Sequence, residues 1–156
     1  AERCARVREL GAYVTVAYAE EDLRTAVREA TGGRGVDLVL DVLGAGGLEA
    51  NLASLATGGR LVMIGLQRGR RGEIDLSRLL AKRLTVAGTT LRSRPLAERA
   101  QILAEVREHV WPLVAQGRIR PLVHATVPLD RAAEAHRLLD SGQVFGKLLL
   151  VPPSAP

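Results

Sequence analysis

Apolar and polar positions follow two rhythms along this chain, one near every third or fourth residue and one in short unbroken runs, and the two alternate from end to end. Residues 1–10 have the helical rhythm, and Gly11 stands where a glycine closes a helix. Val14 to Ala17 is a short strand-type run. Between Glu20 and Ala30 the apolar residues Leu23, Ala26, Val27 and Ala30 recur at helical spacing. Thr31 to Gly35 is glycine-rich and turns the chain, and Val36 to Leu40 then reads as a strand buried on both faces. A short helix over Leu48 to Leu55, a turn at Thr57-Gly58-Gly59 and a buried strand over Arg60 to Ile64 follow, with Gly65 ending the strand.

The second half continues the alternation. A basic, glycine-broken loop leads to a helix over Leu76 to Arg83 and a strand over Leu84 to Thr89. Pro95 opens a long helix that carries Leu103, Val106, Val110, Leu113 and Val114 and ends at Gly117. Trp111 and Pro112 read as packing at a bend in it. Strands over Val123 to Val127 and Leu148 to Val151 flank a helix over Asp130 to Leu139. Strands that alternate with helices argue for an α/β layer fold built on a parallel sheet. No repeat or composition shift marks a linker, so residues 1–151 read as one domain and 152–156 as a frayed tail.

Composition agrees with a sheet covered by helices. The 156 residues are 47% hydrophobic but only 3% aromatic, so core volume must come from Leu, Val, Ile and Ala. No apolar run reaches the roughly 20 residues of a membrane span, and no leader pattern opens the chain. The expectation is a cytoplasmic protein without membrane partners. The chain does not begin with Met, and its gene product is expected to start further upstream.

Charge and candidate chemistry add less. The net charge of +5 gathers around Arg68, Arg70, Arg71, Arg78, Lys82 and Arg83. A nucleic-acid surface would interleave aromatics for base stacking, and none occur here, so the loop reads as solvated and no nucleic-acid partner is expected. Cys4 is the only cysteine, which excludes an internal disulfide and a cysteine-rich metal cluster. Arg3 and Arg6 beside it could activate its thiol, but a plain helical residue is the simpler reading. His109, His124 and His136 are too scattered for a metal site. Asp41 ends a strand, but the wrong strand for an acid that binds a ribose, and reads as a local turn cap.

Several blocks carry more information together than singly. They are AYAEEDLRTAVREATGGRGVDLVLDVLG, GGRLVMIGLQRG, LTVAGTTLRSR, EHVWPLVAQGRIRPLV and AAEAHRLLDSGQVFGKLLL. In order and spacing they resemble the zinc-free NADPH:quinone oxidoreductases, the zeta-crystallin-like branch of the medium-chain dehydrogenase/reductase superfamily. The resemblance runs from Arg3 to Val151 and covers only the C-terminal part of that family. It implies a Rossmann-like parallel sheet with flanking helices that is incomplete, lacking its first two strands and the glycine-rich turn. With the strand order 3-2-1-4-5-6, the segment Val14 to Ala17 would have no neighbour joining it to Val36 to Leu40.

The resemblance also implies a cofactor, NADPH, and places for its contacts. Arg3 matches the basic residue that selects the 2′-phosphate, and an Arg fork suits a phosphate dianion. Tyr18 matches a tyrosine of the same pocket. Leu43 and Gly44 follow the fourth strand, and Gly65, Leu66 and Gln67 follow the fifth. In open α/β sheets ligands lie beyond such carboxyl ends, although both glycines read equally well as ordinary strand-ending turns. Leu91 and Arg92 match a segment near the nicotinamide and the subunit interface, and Gly146 and Lys147 match a pair that reaches back toward the cofactor. The implied reaction is hydride transfer from NADPH to a quinone or an activated alkene, with a homodimer formed through an edge strand. An enoyl reductase of polyketide or fatty-acid assembly and a non-catalytic interaction module are the alternatives. No catalytic proton donor stands out. Without the glycine turn, the isolated chain is expected to be inactive and to hold NADPH only with a dissociation constant of about 1 mM or weaker, roughly 4 kcal/mol.

Overall fold

The computed structural model describes residues 2–153. The chain divides into two compact units, one ending at Arg94 and the other starting at Pro95.

The first unit runs α1 (Glu2–Glu9), α2 (Leu23–Ala30), β1 (Val36–Asp41), α3 (Leu48–Ser54), β2 (Leu55–Met63), α4 (Leu76–Lys82) and β3 (Thr85–Gly88). β1, β2 and β3 pair in that order and all run parallel, with Asp41 opposite Met63 and Met63 opposite Gly88. Parallel neighbours need a crossover, which α3 and α4 supply. This is the Rossmann-like arrangement of strands 4, 5 and 6, without strands 1 and 2. Asp22 caps α2 by accepting from Thr25 N at 2.9 Å, and Asp75 caps α4 by accepting from Ser77 N at 2.9 Å. Leu52, Leu55 and Leu61 are buried and pack against Val36, Val39, Leu48, Met63, Ile74, Leu79 and Leu84. Each fully buried leucine contributes about 2 kcal/mol.

Several expectations need correction. Val14 to Ala17 forms no helix or strand and lies outside both sheets. A strand exists only by pairing, and two strands would have to lie between this segment and β1. β1 is not buried on both faces, because Leu38 and Leu40 are exposed on the face opposite Val39. Thr57 to Gly59 does not separate a helix from a strand. It lies inside β2 as an irregularity, where the pairing jumps from Val36–Leu55 to Leu38–Arg60. α2 starts later than Glu20, since residues 18–20 form a turn and Asp22 is the cap.

The second unit holds α5 (Leu96–His109), α6 (Trp111–Ala115), β4 (Val123–Pro128), α7 (Ala132–Asp140) and β5 (Lys147–Val151). β4 and β5 pair parallel across α7, with Ala125 opposite Leu148 and Pro128 opposite Val151. The expected single helix is broken into α5 and α6 at Val110. Pro112 has no N–H to continue the ladder and sits in the first turn of α6, where that loss is harmless. Trp111 beside it is exposed, so the bend is present without the expected packing. Of the tail, Pro152 and Pro153 follow β5 outside any element, and residues 154–156 lie outside the described residues. No helix of the described residues is long and apolar enough to cross a membrane.

Candidate functional site

The carboxyl ends of β1 and β2 are built around one buried carboxylate. Asp41 is 4% exposed; its Oδ1 accepts from Leu43 N at 3.1 Å and Asn51 Nδ2 at 2.9 Å, and its Oδ2 accepts from Gly44 N at 2.7 Å. β1 is thereby joined to the following turn and to α3. Asp41 is the turn cap that its place at a strand end implies.

That turn then pairs with the loop after β2. Gln67 N donates to Val42 O at 3.0 Å and Arg68 N to Leu43 O at 2.8 Å, while Ala45 N donates to Gly69 O at 2.9 Å and Gly46 N to Arg68 O at 3.0 Å. Two glycines allow this approach. Gly44 takes φ +73°, and a Cβ there would sit 2.5 Å from Gly69 O. A Cβ on Gly46 would sit 2.6 Å from the Cβ of Arg68. Leu43, Gly44, Gly65, Leu66 and Gln67 are thus brought together, with Gly44 serving the loop pairing.

The pairing fixes the backbone of Arg68, whose guanidinium carbon lies 5.3 Å from the centre of the Tyr18 ring. This is a cation–π distance. Tyr18 and Arg3 in turn line one cavity of about 380 Å³, together with Cys4, Val7 and the segment 15–17. A second cavity, of about 710 Å³, opens at the ends of β2 and β3, lined by Gly65, Leu66, Thr89, Thr90, Ser93 and Arg94. Arg94 ties this turn together, with Nε donating to Thr90 O at 3.1 Å and Nη2 to Thr89 Oγ1 at 3.0 Å. Leu91 and Arg92 are exposed within the same turn. Gly146 and Lys147 belong to the second unit, where Lys147 N donates to Leu122 O at 2.8 Å at the start of β5.

The profile of the zinc-binding dehydrogenase family matches residues 10–150, nearly the whole chain. The chain belongs to this family. Its relatives place it with the quinone oxidoreductase-like branch, as the C-terminal part. It is 31% identical over 156 residues to a 2-haloacrylate reductase of a Burkholderia species, covering 97% of this chain and 45% of that protein. It is 30% identical over 158 residues to quinone oxidoreductase 1 of Escherichia coli K12, covering 97% and 47%. The crystal structure of the Escherichia coli quinone oxidoreductase complexed with NADPH superposes with a TM-score of 0.83, at 30% identity over 97% of this chain and 47% of that one. The chain therefore spans about half the length of the relatives it matches. No group of three or more His, Cys, Asp or Glu residues that could hold a metal ion occurs among the described residues.

Arg68 and Arg94 are not singled out by the sequence. Arg68 stands beside Arg70 and Arg71 and shares their reading as a solvated loop, although it lies immediately after the fifth-strand residues Gly65 to Gln67. That position is the one signal that could have found it. Arg94 closes the block LTVAGTTLRSR, two residues after Arg92, but the resemblance implies no role for it.

Proposed function

We propose that this chain is the cofactor-holding part of a reductase that moves hydride from NADPH to a quinone or an activated alkene. The observation that carries the proposal is the convergence of Arg3 and Tyr18 on one cavity, with Arg68 stacked on the same tyrosine ring. These residues fit a phosphorylated adenosine, since guanidinium forks suit a phosphate dianion and the phenol adds a hydroxyl donor. The paired loops at Leu43–Gly46 and Gly65–Gly69 then form a stiff wall beyond the carboxyl ends of the strands, the usual ligand position in open α/β sheets. The cavity under Gly65, Leu66 and Thr89 receives the nicotinamide end.

NADPH supplies the hydride when bound; the chain's own residues bind and orient it. The substrate class draws support from the relatives, one named for quinones and another for a haloacrylate, an alkene polarised by its substituents. Substrate contacts would come from elsewhere in the longer enzyme, so the isolated chain does not turn over. The exposed edge strand β3, at the border of its sheet, is the proposed seam for a second copy.

Calorimetric titration of the chain with NADPH and NADH tests this reading. We expect NADPH to bind more tightly than NADH, at a dissociation constant of about 1 mM. Arg3→Glu should abolish that preference, and Arg68→Gln should weaken NADPH binding by about threefold to tenfold, the loss of one charge-assisted contact. Equal binding of the two cofactors, or a preference untouched by Arg3→Glu, overturns the assignment.

A further inference from the structure

The opposite end of the first unit's sheet has its own concave site. A cavity of about 340 Å³ opens where Gly35 leads into β1 and Leu55 begins β2. Its wall carries five cationic side chains, Arg24 and Arg28 from α2, Arg34 from the following turn, and Arg78 and Lys82 from α4, and no acidic side chain. Five like charges around one hollow repel, and the repulsion is strongest where walls exclude water.

Three of the five are held in place by other groups of the first unit. Arg24 pairs with Asp22 at 3.5 Å and Glu49 at 3.7 Å. Arg34 forms a two-pronged pair with Asp37, at 2.5 and 2.9 Å. Lys82 Nζ donates to Ala53 O at 3.1 Å and Leu55 O at 2.6 Å, closing the end of α3. Arg28 and Arg78 reach the hollow from different helices, and neither makes an ion pair at contact distance among the described residues. The three carboxylates at the rim act on Arg24 and Arg34, and Asp75 acts on Arg78 through space without an ion-pair contact, so cationic charge still exceeds anionic around the hollow.

We propose that this cavity is an anion site for a diphosphate group, separate from the proposed cofactor site at the other ends of the same strands. Its volume lies at the small end of the range for ligand pockets, about 300–1,000 Å³, which suits a compact anion. Two guanidinium groups carried by separate helices match an anion with two phosphoryl groups, each able to accept a paired set of N–H donors. Arg24 and Arg34, already oriented by their carboxylates, offer N–H donors with little further ordering cost. The donors sit on helices α2 and α4, whose first turns are fixed by the Asp22 and Asp75 caps.

The test is titration of the full chain with inorganic pyrophosphate at low ionic strength, by calorimetry and by thermal melting. Saturable one-site binding and a raised melting temperature are expected, because a ligand held only by the folded state stabilises it. Arg28→Gln with Arg78→Gln should weaken binding at least tenfold. Arg70→Gln with Arg71→Gln, which removes equal charge from a loop outside the hollow, should leave it unchanged. The far-ultraviolet circular dichroism of both variants reports that the fold is intact. Repeating the titration with ADP in the presence of NADPH tells a nucleotide's diphosphate from the free anion. Absent binding, or an equal loss in both double variants, overturns the site and marks the attraction as general net charge. Neither outcome bears on the Arg3 and Tyr18 cavity, which Arg3→Glu reports independently.

Discussion

A single carboxylate at Asp41 organises the end of β1. It is buried and accepts three hydrogen bonds, from two turn amides and the Asn51 side chain. Asp41→Asn keeps the shape but replaces one acceptor oxygen with a donor that opposes a donor. A stability loss of about 2 kcal/mol is expected, the scale of bonds to a charged group, read as a lowered urea midpoint with unchanged slope. An unaltered midpoint would show that the turn holds without its acid. This role is legible from the residue's place at a strand end before glycines. The role of Arg68 is not, since its contact with Tyr18 joins two loops from distant stretches of the chain. Spacing along a chain reports neighbours on one element; it does not report which loops pair.

At the scale of elements, helices are the more legible class because their signals are local. Asp22 and Asp75 cap where a helix N-terminus wants an acceptor, and Pro112 marks the break between α5 and α6. Strands are less legible for a physical reason. Val14 to Ala17 has strand composition and no partner, and the continuous apolar run at β1 implies cover on both faces that one face lacks. Leu38 and Leu40 are 58% and 64% exposed on an edge strand, an arrangement that invites pairing with another chain. If β1 adds a second seam to the one proposed at β3, Leu38→Lys with Leu40→Lys should reduce self-association in sedimentation velocity while changing the melting temperature little. Unchanged association would leave the proposed seam at β3 alone.

For the molecule as a whole, the acid limb of stability follows from surface carboxylates. Thr25's backbone amide, then its hydroxyl, hold Asp22 below the ordinary aspartate value of 3.8. Ser77's hydroxyl and amide lower Asp75, the Arg34 guanidinium lowers Asp37, and the Arg131 guanidinium lowers Glu134 from the ordinary 4.5. A depressed folded value means stability is fully present above the unfolded value and lost as pH falls through the folded one. Melting temperature should therefore hold from neutral pH down to about 5 and decline below about 4. Because all four groups are exposed, the decline should be shallow and weaker in high salt. Asp22→Asn with Asp75→Asn should flatten it further, and a limb that steepens instead would show that these caps do not set it.

The sequence contains two lysines, Lys82 and Lys147, and their settings differ. Lys147 is exposed at the start of β5, whereas the Lys82 ammonium is committed to the carbonyl oxygens of Ala53 and Leu55. An amine-selective acylating reagent needs the free, unbonded amine. It should modify Lys147 first, and reach Lys82 only when the junction of α3 and β2 opens. Peptide mass spectrometry of a timed acylation then becomes a clock for that opening. Equal rates at the two lysines would mean the junction breathes faster than the reagent reacts.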